Sequence, residues 1–201
     1  MTNYEVKSFE FLKEGIDGIS AKTLTLHLSL YQGYVTNVNK LTEKLAVLRQ
    51  EKKTNEAEYT ELQRRFGWEW NGMRLHEYYF ECLSKTPAPL KEESALFVGI
   101  KKSFENYEAW ENDFKALALS RGIGWVALCY DQEKDMLFNV WINEHHIGHL
   151  AGLPVVLIID VFEHAFMLDY ETKRADYISA FLRVLDWSVM EKRFINATKG
   201  E

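Results

Sequence analysis

The chain is poor in proline, nearly without cysteine, and has neither a long apolar run nor a surplus of basic charge. Cys82 and Cys129 are its only two cysteines, which is too few for a disulfide framework; both lie among apolar residues and are expected to be reduced and buried. No apolar stretch reaches the roughly 18 residues that a bilayer-spanning helix needs. The segment Met1-Thr2-Asn3-Tyr4-Glu5-Val6-Lys7 has neither a basic start nor the apolar stretch of a secretory signal, so a cytoplasmic location without a membrane partner is expected. The net charge of −6 argues against nucleic acid, because phosphate contacts need clustered Lys and Arg. Attraction of an anion would have to be local, from residues such as Lys173 and Arg174. What remains is a globular composition, 47% hydrophobic and 27% charged, in a chain long enough to bury a core as one domain or two small ones.

Apolar periodicity predicts helices first. Leu24, Leu28, Tyr31, Val35 and Val38 share one face, and Leu41, Leu45 and Leu48 continue it. The charged stretch from Arg49 to Glu58 has no apolar face and reads as a helix end or connection. A second helix follows over about 59–83, with a possible break near Gly67 or Gly72, and the two form an antiparallel hairpin. Thr86-Pro87-Ala88-Pro89 is the best boundary. It divides the chain into a helical hairpin domain, 1–88, and a C-terminal α/β domain, 89–201. The second part is predicted to hold two helices within 91–118, strands over 125–130, 137–142 and 154–159, and closing helices of which 177–185 is the clearest. Asp131-Gln132-Glu133-Lys134-Asp135 turns the first two strands into a hairpin. The fold class is therefore α+β, with a small three-stranded antiparallel sheet packed by helices.

The most chemically informative segment is Asp160-Val161-Phe162-Glu163-His164-Ala165, directly after Leu153-Pro154-Val155-Val156-Leu157-Ile158-Ile159. A continuous Val/Leu/Ile run reads as a strand covered on both faces. One helical turn then places Asp160 and His164 on one side, as half of a metal site. Such a pair is often only a structural hydrogen bond, so further ligands are needed. His27 and His76 are the upstream candidates; each sits among apolar residues on a predicted helix, where singly it would pass for a core histidine.

Taken together and in order, these segments resemble the iron/manganese superoxide dismutase family. The stretch from Ile19 to Asn39 is similar to the family's first ligand helix, and His76 with Tyr79, Cys82 and Leu83 to its second. Gly122-Ile123-Gly124-Trp125 resembles a glycine-tryptophan turn, and 160–165 resembles the signature that usually reads Asp-Val-Trp-Glu-His-Ala. Asp169-Tyr170, Arg174-Ala175-Asp176-Tyr177 and Asp186-Trp187 fall where the family has related pairs and blocks. The resemblance implies one iron or manganese ion per subunit, held by His27, His76, Asp160 and His164 with a solvent molecule as fifth ligand. It implies superoxide as substrate. Two ligands from each half would set the ion at the junction of the halves.

The resemblance also implies roles for neighbours. Tyr34 stands where a tyrosine closes the substrate channel, and Trp125 where a tryptophan walls the pocket. Iron-type members place a Gln four residues before the second ligand; here that residue is Gly72, as in manganese-type and archaeal members, whose outer donor comes from the loop before the signature strand. In that loop Glu144 matches the Gln position of ordinary manganese-type members and His145 the His position of archaeal ones. An ionised Glu only accepts, so His145 is the choice, acting with Tyr34. Glu163 would reach the partner's copy of His164 across a two-fold axis in a homodimer.

The chain departs from the pattern in places. Leu30-Tyr31 stands where two adjacent His are usual, and the interval from His27 to Tyr34 is one residue shorter than usual, so alignment back from Tyr34 would put Leu26 at the ligand position. Phe162 replaces a Trp, and Met167 an interface Tyr. These changes leave a second reading, a non-catalytic metal-binding or structural relative of the same fold. A zinc hydrolase on the same ligands lacks any substrate-pocket signature, and His145-His146-x-x-His149 lacks a fourth ligand for a zinc site of its own.

Overall fold

The computed structural model describes residues 3–200. Helix α1, Ala21–Gln50, starts where the Ser20 hydroxyl accepts the Thr23 amide at 3.2 Å, satisfying one of the free N–H groups of a first turn. Its buried face runs from Leu24 through Leu28, Tyr31, Val35, Val38, Leu41 and Leu45 to Leu48, with His27 among them. Helix α2, Ala57–Cys82, returns antiparallel after the charged connection and packs along α1. It runs unbroken through Gly67 and Gly72, in place of the predicted break. A helical glycine costs only about 1 kcal/mol against alanine, which the long packed face of α2 outweighs.

Short helices α3, Ala95–Phe104, and α4, Tyr107–Ala118, are each opened by a side-chain cap, Ser94 and Asn106 respectively. Strands β1, Gly124–Asp131, β2, Met136–Asn143, and β3, Val155–Asp160, form one antiparallel sheet in the order β2-β1-β3. The central β1 is buried along nearly its whole length, whereas β2 at the edge alternates. Helices α5, Met167–Tyr170, α6, Arg174–Arg183, and α7, Trp187–Lys199, complete the chain. The four-residue α5 is preceded by a 3-10 turn, Glu163–Ala165. The α-helical turn expected immediately after Asp160 is thus a 3-10 turn, which still brings His164 back toward Asp160.

One apolar core joins the hairpin to the sheet: Tyr79 and Phe80 of α2, Trp125 and Leu128 of β1, Ile158 of β3 and Phe181 of α6 belong to it. Arg193 fastens the parts, donating to Glu81 at 2.7 Å, to the Tyr78 carbonyl at 3.1 Å and to the Val156 carbonyl at 3.3 Å. Cys82 and Cys129 are free and buried, as expected. No described helix is long and apolar enough to cross a membrane.

In the register of β1 on β3, Trp125 lies opposite Asp160; directly paired residues share a sheet face, so the wall of the pocket and the carboxylate are placed together. Strand β1 starts one residue earlier, at Gly124, whose φ of +146° suits glycine and whose missing Cβ would meet the Ile142 carbonyl oxygen of β2 at 2.1 Å. Gly124→Ala is expected to lower stability by about 2 kcal/mol and the unfolding midpoint by roughly 5 °C. A calorimetric scan of parent and variant checks this, and an unchanged midpoint would show that the turn carries no such constraint.

Candidate metal centre

Four elements converge on one point. His27 comes from α1, His76 from α2, Asp160 from the last position of β3 and His164 from the 3-10 turn, and one ligand atom from each lies within 4.8 Å of the others. His27, His76 and Asp160 are buried; the His164 side chain keeps 29% of its surface exposed. The Asp160 Oδ1 accepts the Phe162 amide at 2.8 Å, which turns Oδ2 toward the imidazoles. The Nε2 atoms of His27, His164 and His76 stand 3.0, 3.2 and 3.7 Å from that oxygen.

The charge balance around Asp160 is lopsided. Burial disfavours its ionised form, yet His164 and His27 hold the carboxyl well below the usual range. Burial pulls His27 and His76 below the ordinary imidazole value. For His164 burial acts the same way, and Asp160 overrides it to raise the value. His76 is fixed by its Nδ1–H, which donates to the Gly72 carbonyl at 2.5 Å, so its buried Nε2 presents a lone pair that has no partner. A lone pair buried against a carboxylate oxygen is stabilised by a cation between them. Three imidazole nitrogens and one carboxylate oxygen are the donor set of a borderline first-row metal, and the residues fit an iron or manganese ion.

Helix phase sets the two candidates at the first donor position on different sides of α1. Leu26 is 49% exposed, while His27 faces the cluster. Tyr34, seven residues on, is nearly two full turns away on an uninterrupted α-helix and lies on almost the same side. Its ring stacks on His76 with centroids 5.2 Å apart. A Cβ at Gly72 would sit 2.5 Å from that ring, so the tyrosine occupies the space that a side chain at position 72 would need.

The Tyr34 hydroxyl meets His145 Nε2 at 2.7 Å. The indole N–H of Trp125 donates to His145 Nδ1 at 3.0 Å, and an indole only donates. Nδ1 is therefore bare, the neutral ring carries its proton on Nε2, and that N–H donates to the Tyr34 oxygen. Burial pulls His145 down to about 4 and pushes the Tyr34 phenol up, so both neutral forms hold at neutral pH. Glu144 turns elsewhere: its Oε2 accepts the Trp68 indole N–H at 2.8 Å. Phe162 stacks on His145 at 4.9 Å.

Other expected residues fall outside this point. Arg174 donates to the Ser120 and Gly122 carbonyls at 2.8 and 3.0 Å, which occupies its guanidinium in holding the chain before β1. His149 bonds the His145 carbonyl at 2.9 Å, and the only metal-ligating cluster among the described residues is the one above. Trp68 was not singled out from the sequence, where it reads as helix filler. The signal was its spacing: Trp68, Gly72 and His76 recur every four residues and so line one side of α2.

His145 gives the site a pH dependence of its own. Its value of about 4 in the folded protein lies below the ordinary 6.5 or so of an unfolded histidine, so between these values the unfolded chain binds more protons. The stabilisation is complete above about 6.5 and is lost as pH falls toward 4. In the metal-free protein, His145→Gln is expected to flatten the decline in unfolding midpoint over that window. Equal slopes for parent and variant in stepped-pH thermal unfolding would refute this.

Comparison with known proteins gives a consistent result. The family model for the alpha-hairpin domain of iron/manganese superoxide dismutases matches residues 4–84, and that for their C-terminal domain matches residues 92–193. An iron superoxide dismutase of Aquifex pyrophilus is 34% identical over 93% of this chain and 89% of that protein. A manganese superoxide dismutase of Haloferax volcanii is 32% identical over 99% and 98%, and an iron superoxide dismutase of Saccharolobus solfataricus 33% identical over 81% and 79%.

Proposed function

The chain belongs to the iron/manganese superoxide dismutase family, and from that premise we propose that it disproportionates superoxide at one iron or manganese ion held by His27, His76, Asp160 and His164. The observation that supports this most is the set of four converging donor atoms, with the unpartnered His76 Nε2 among them. When bound, the ion would supply the one-electron redox chemistry by which one superoxide is oxidised and the next reduced. Two superoxide anions and two protons then become one oxygen and one hydrogen peroxide.

The protein's share is proton supply and exclusion of water. Tyr34 and His145 are the catalytic pair: with His145 Nε2–H donating to Tyr34, the phenol's own hydrogen is free to turn toward the reduced oxygen species and is replaced from solvent. Burial keeps the phenol protonated until it is used. Trp125 and Phe162 wall the pair with apolar surface.

The working form in this reading is a homodimer. Glu163 is exposed and has no side-chain hydrogen bond or ion pair among the described residues, and His164 uses Nε2 toward Asp160. The other ring nitrogen of His164 is thus available to the partner's copy of Glu163, which would fix the ring. Around them Leu26, Leu30, Met167 and Leu168 are each more than 40% exposed, on α1 and α5, which pack together; a second copy would cover them. The division at about residue 88 into hairpin and C-terminal domains, and a cytoplasmic location suited to two free thiols, complete the proposal.

Superoxide decay measured by pulse radiolysis after reconstitution with iron and with manganese tests the activity; a fully metallated protein with no turnover under either metal would refute it. His76→Ala and His164→Ala should each abolish stoichiometric metal binding, read by elemental analysis, because an incomplete set of ligands remains. Glu163→Ala should weaken the dimer and the metal site together, with metal affinity falling about tenfold or more. Sedimentation at decreasing concentration, with metal content in parallel, decides this: a variant as dimeric and as well metallated as the parent would return Glu163 to an ordinary surface carboxylate.

A further inference from the structure

Glu144 occupies the loop position where manganese-type members of the family carry an amide, yet among the described residues its carboxylate bonds Trp68 and none of the four clustered donors. Its backbone φ is +50°, a left-handed conformation that a non-glycine residue keeps only when its surroundings hold it there. Two bonds do so. The Glu144 amide donates to the Ile123 carbonyl at 3.2 Å, and its carboxylate accepts the Trp68 indole N–H at 2.8 Å. The Trp68 ring stands against both members of the proton-handling pair, with centroids 4.5 Å from His145 and 5.5 Å from Tyr34. From the other end of the array, the Arg65 guanidinium lies over the indole at 3.8 Å and donates from Nε to the buried Glu69 at 3.1 Å. Glu69 in turn accepts from Asn37 of α1 at 3.3 Å.

An indole has one donor and a large ring, so a single strong acceptor fixes the angle of the whole ring. A carboxylate acceptor makes that bond charge-assisted, and a guanidinium over the ring adds a cation–π attraction. The array ties the loop before β3, helix α2 and helix α1 together, across the Tyr34–His145 pair.

We propose that Glu144 is the anchor of a Trp68 cover over Tyr34 and His145: a positioning residue that holds the indole against the pair, with Arg65 clamping the ring. Glu144 then acts through Trp68 and supplies no proton to the ion. The proposal rests on Tyr34 and His145 being the catalytic pair, and it assigns the sequence position of the family's amide to a different task. Trp68 is half-buried, so one side of its ring meets solvent while the other covers the pair. With the anchor lost, the ring swings, solvent reaches His145 more freely, and the hydrogen bond between His145 and Tyr34 loosens.

Three variants test this: Glu144→Ala removes the acceptor, Glu144→Gln keeps a neutral acceptor, and Trp68→Phe keeps a ring without its N–H. In the metal-loaded protein, kcat is expected to fall about tenfold in Glu144→Ala and in Trp68→Phe. The double variant should fall no further, because both changes break one contact. Glu144→Gln should recover most of the parent's kcat, and azide affinity, followed by visible absorption, should change in step with kcat. In the metal-free protein, acrylamide quenching of the Trp68 contribution, taken as the difference from Trp68→Phe, should increase in Glu144→Ala and return in Glu144→Gln. Additive losses in the double variant, or a Glu144→Gln as impaired as Glu144→Ala, would overturn the anchor role. A protein without dismutase activity but with the expected quenching would overturn the activity and leave the anchor standing. Activity with unchanged quenching would do the reverse.

Discussion

Everything in the functional half of this molecule depends on one buried carboxylate. Asp160 is wholly enclosed at the end of β3, where an unpaired charge would cost several kcal/mol. The fold meets that cost in a set order: the Phe162 amide takes one oxygen, and the other faces three imidazole nitrogens. The backbone of Asp160 is held as well, since its carbonyl accepts the Tyr177 hydroxyl at 2.8 Å and that hydroxyl meets Tyr79 at 3.1 Å. Strand β3, the hairpin and helix α6 are therefore all tied to this one residue. Loss of the cation would leave a carboxylate and three histidines to share protons in a space built for something else.

The hairpin supplies its two candidate ligands through helix phase. On a regular helix seven residues rotate by about 700°, within roughly 20° of two turns, whereas eight would rotate a further 100° or so. His27 and Tyr34 are seven apart on a helix without a break, and both reach the pocket. The one-residue contraction relative to the family's usual interval is compatible with an unbroken α1 and leaves both His27 and Tyr34 facing the pocket. On α2 the recurrence of Trp68, Gly72 and His76 works the same way, with the glycine admitting the Tyr34 ring.

Much of this was legible in the sequence, because long amphipathic helices and continuous apolar strands give strong periodic signals. The four donors stood out once their order along the chain was compared with a known pattern; no single one of them would have done so. Helix and strand ends moved by a few residues, as in β1, which begins at Gly124 and not at Trp125. What the sequence concealed was pairing between side chains distant along the chain. Nothing in one dimension says that Glu144 faces Trp68 across 76 positions or that Arg174 bonds two carbonyls near β1. Such contacts follow from how the loops close, and loop closure is set by the packed elements on either side.

The same geometry constrains how the protein can tune its metal. Relatives named for iron and for manganese resemble the chain to nearly the same degree, so the four donors they suggest do not by themselves separate the two ions. Tuning falls to hydrogen bonds around those donors. Position 72 is closed to any side chain by the Tyr34 ring, which leaves the loop before β3 as the source of an outer donor. In that loop Glu144 is committed to Trp68, and His145 has a single hydrogen to give because Trp125 occupies its other nitrogen. That one N–H, given to the Tyr34 oxygen, is the polar contact this loop brings to the pocket beside the donors.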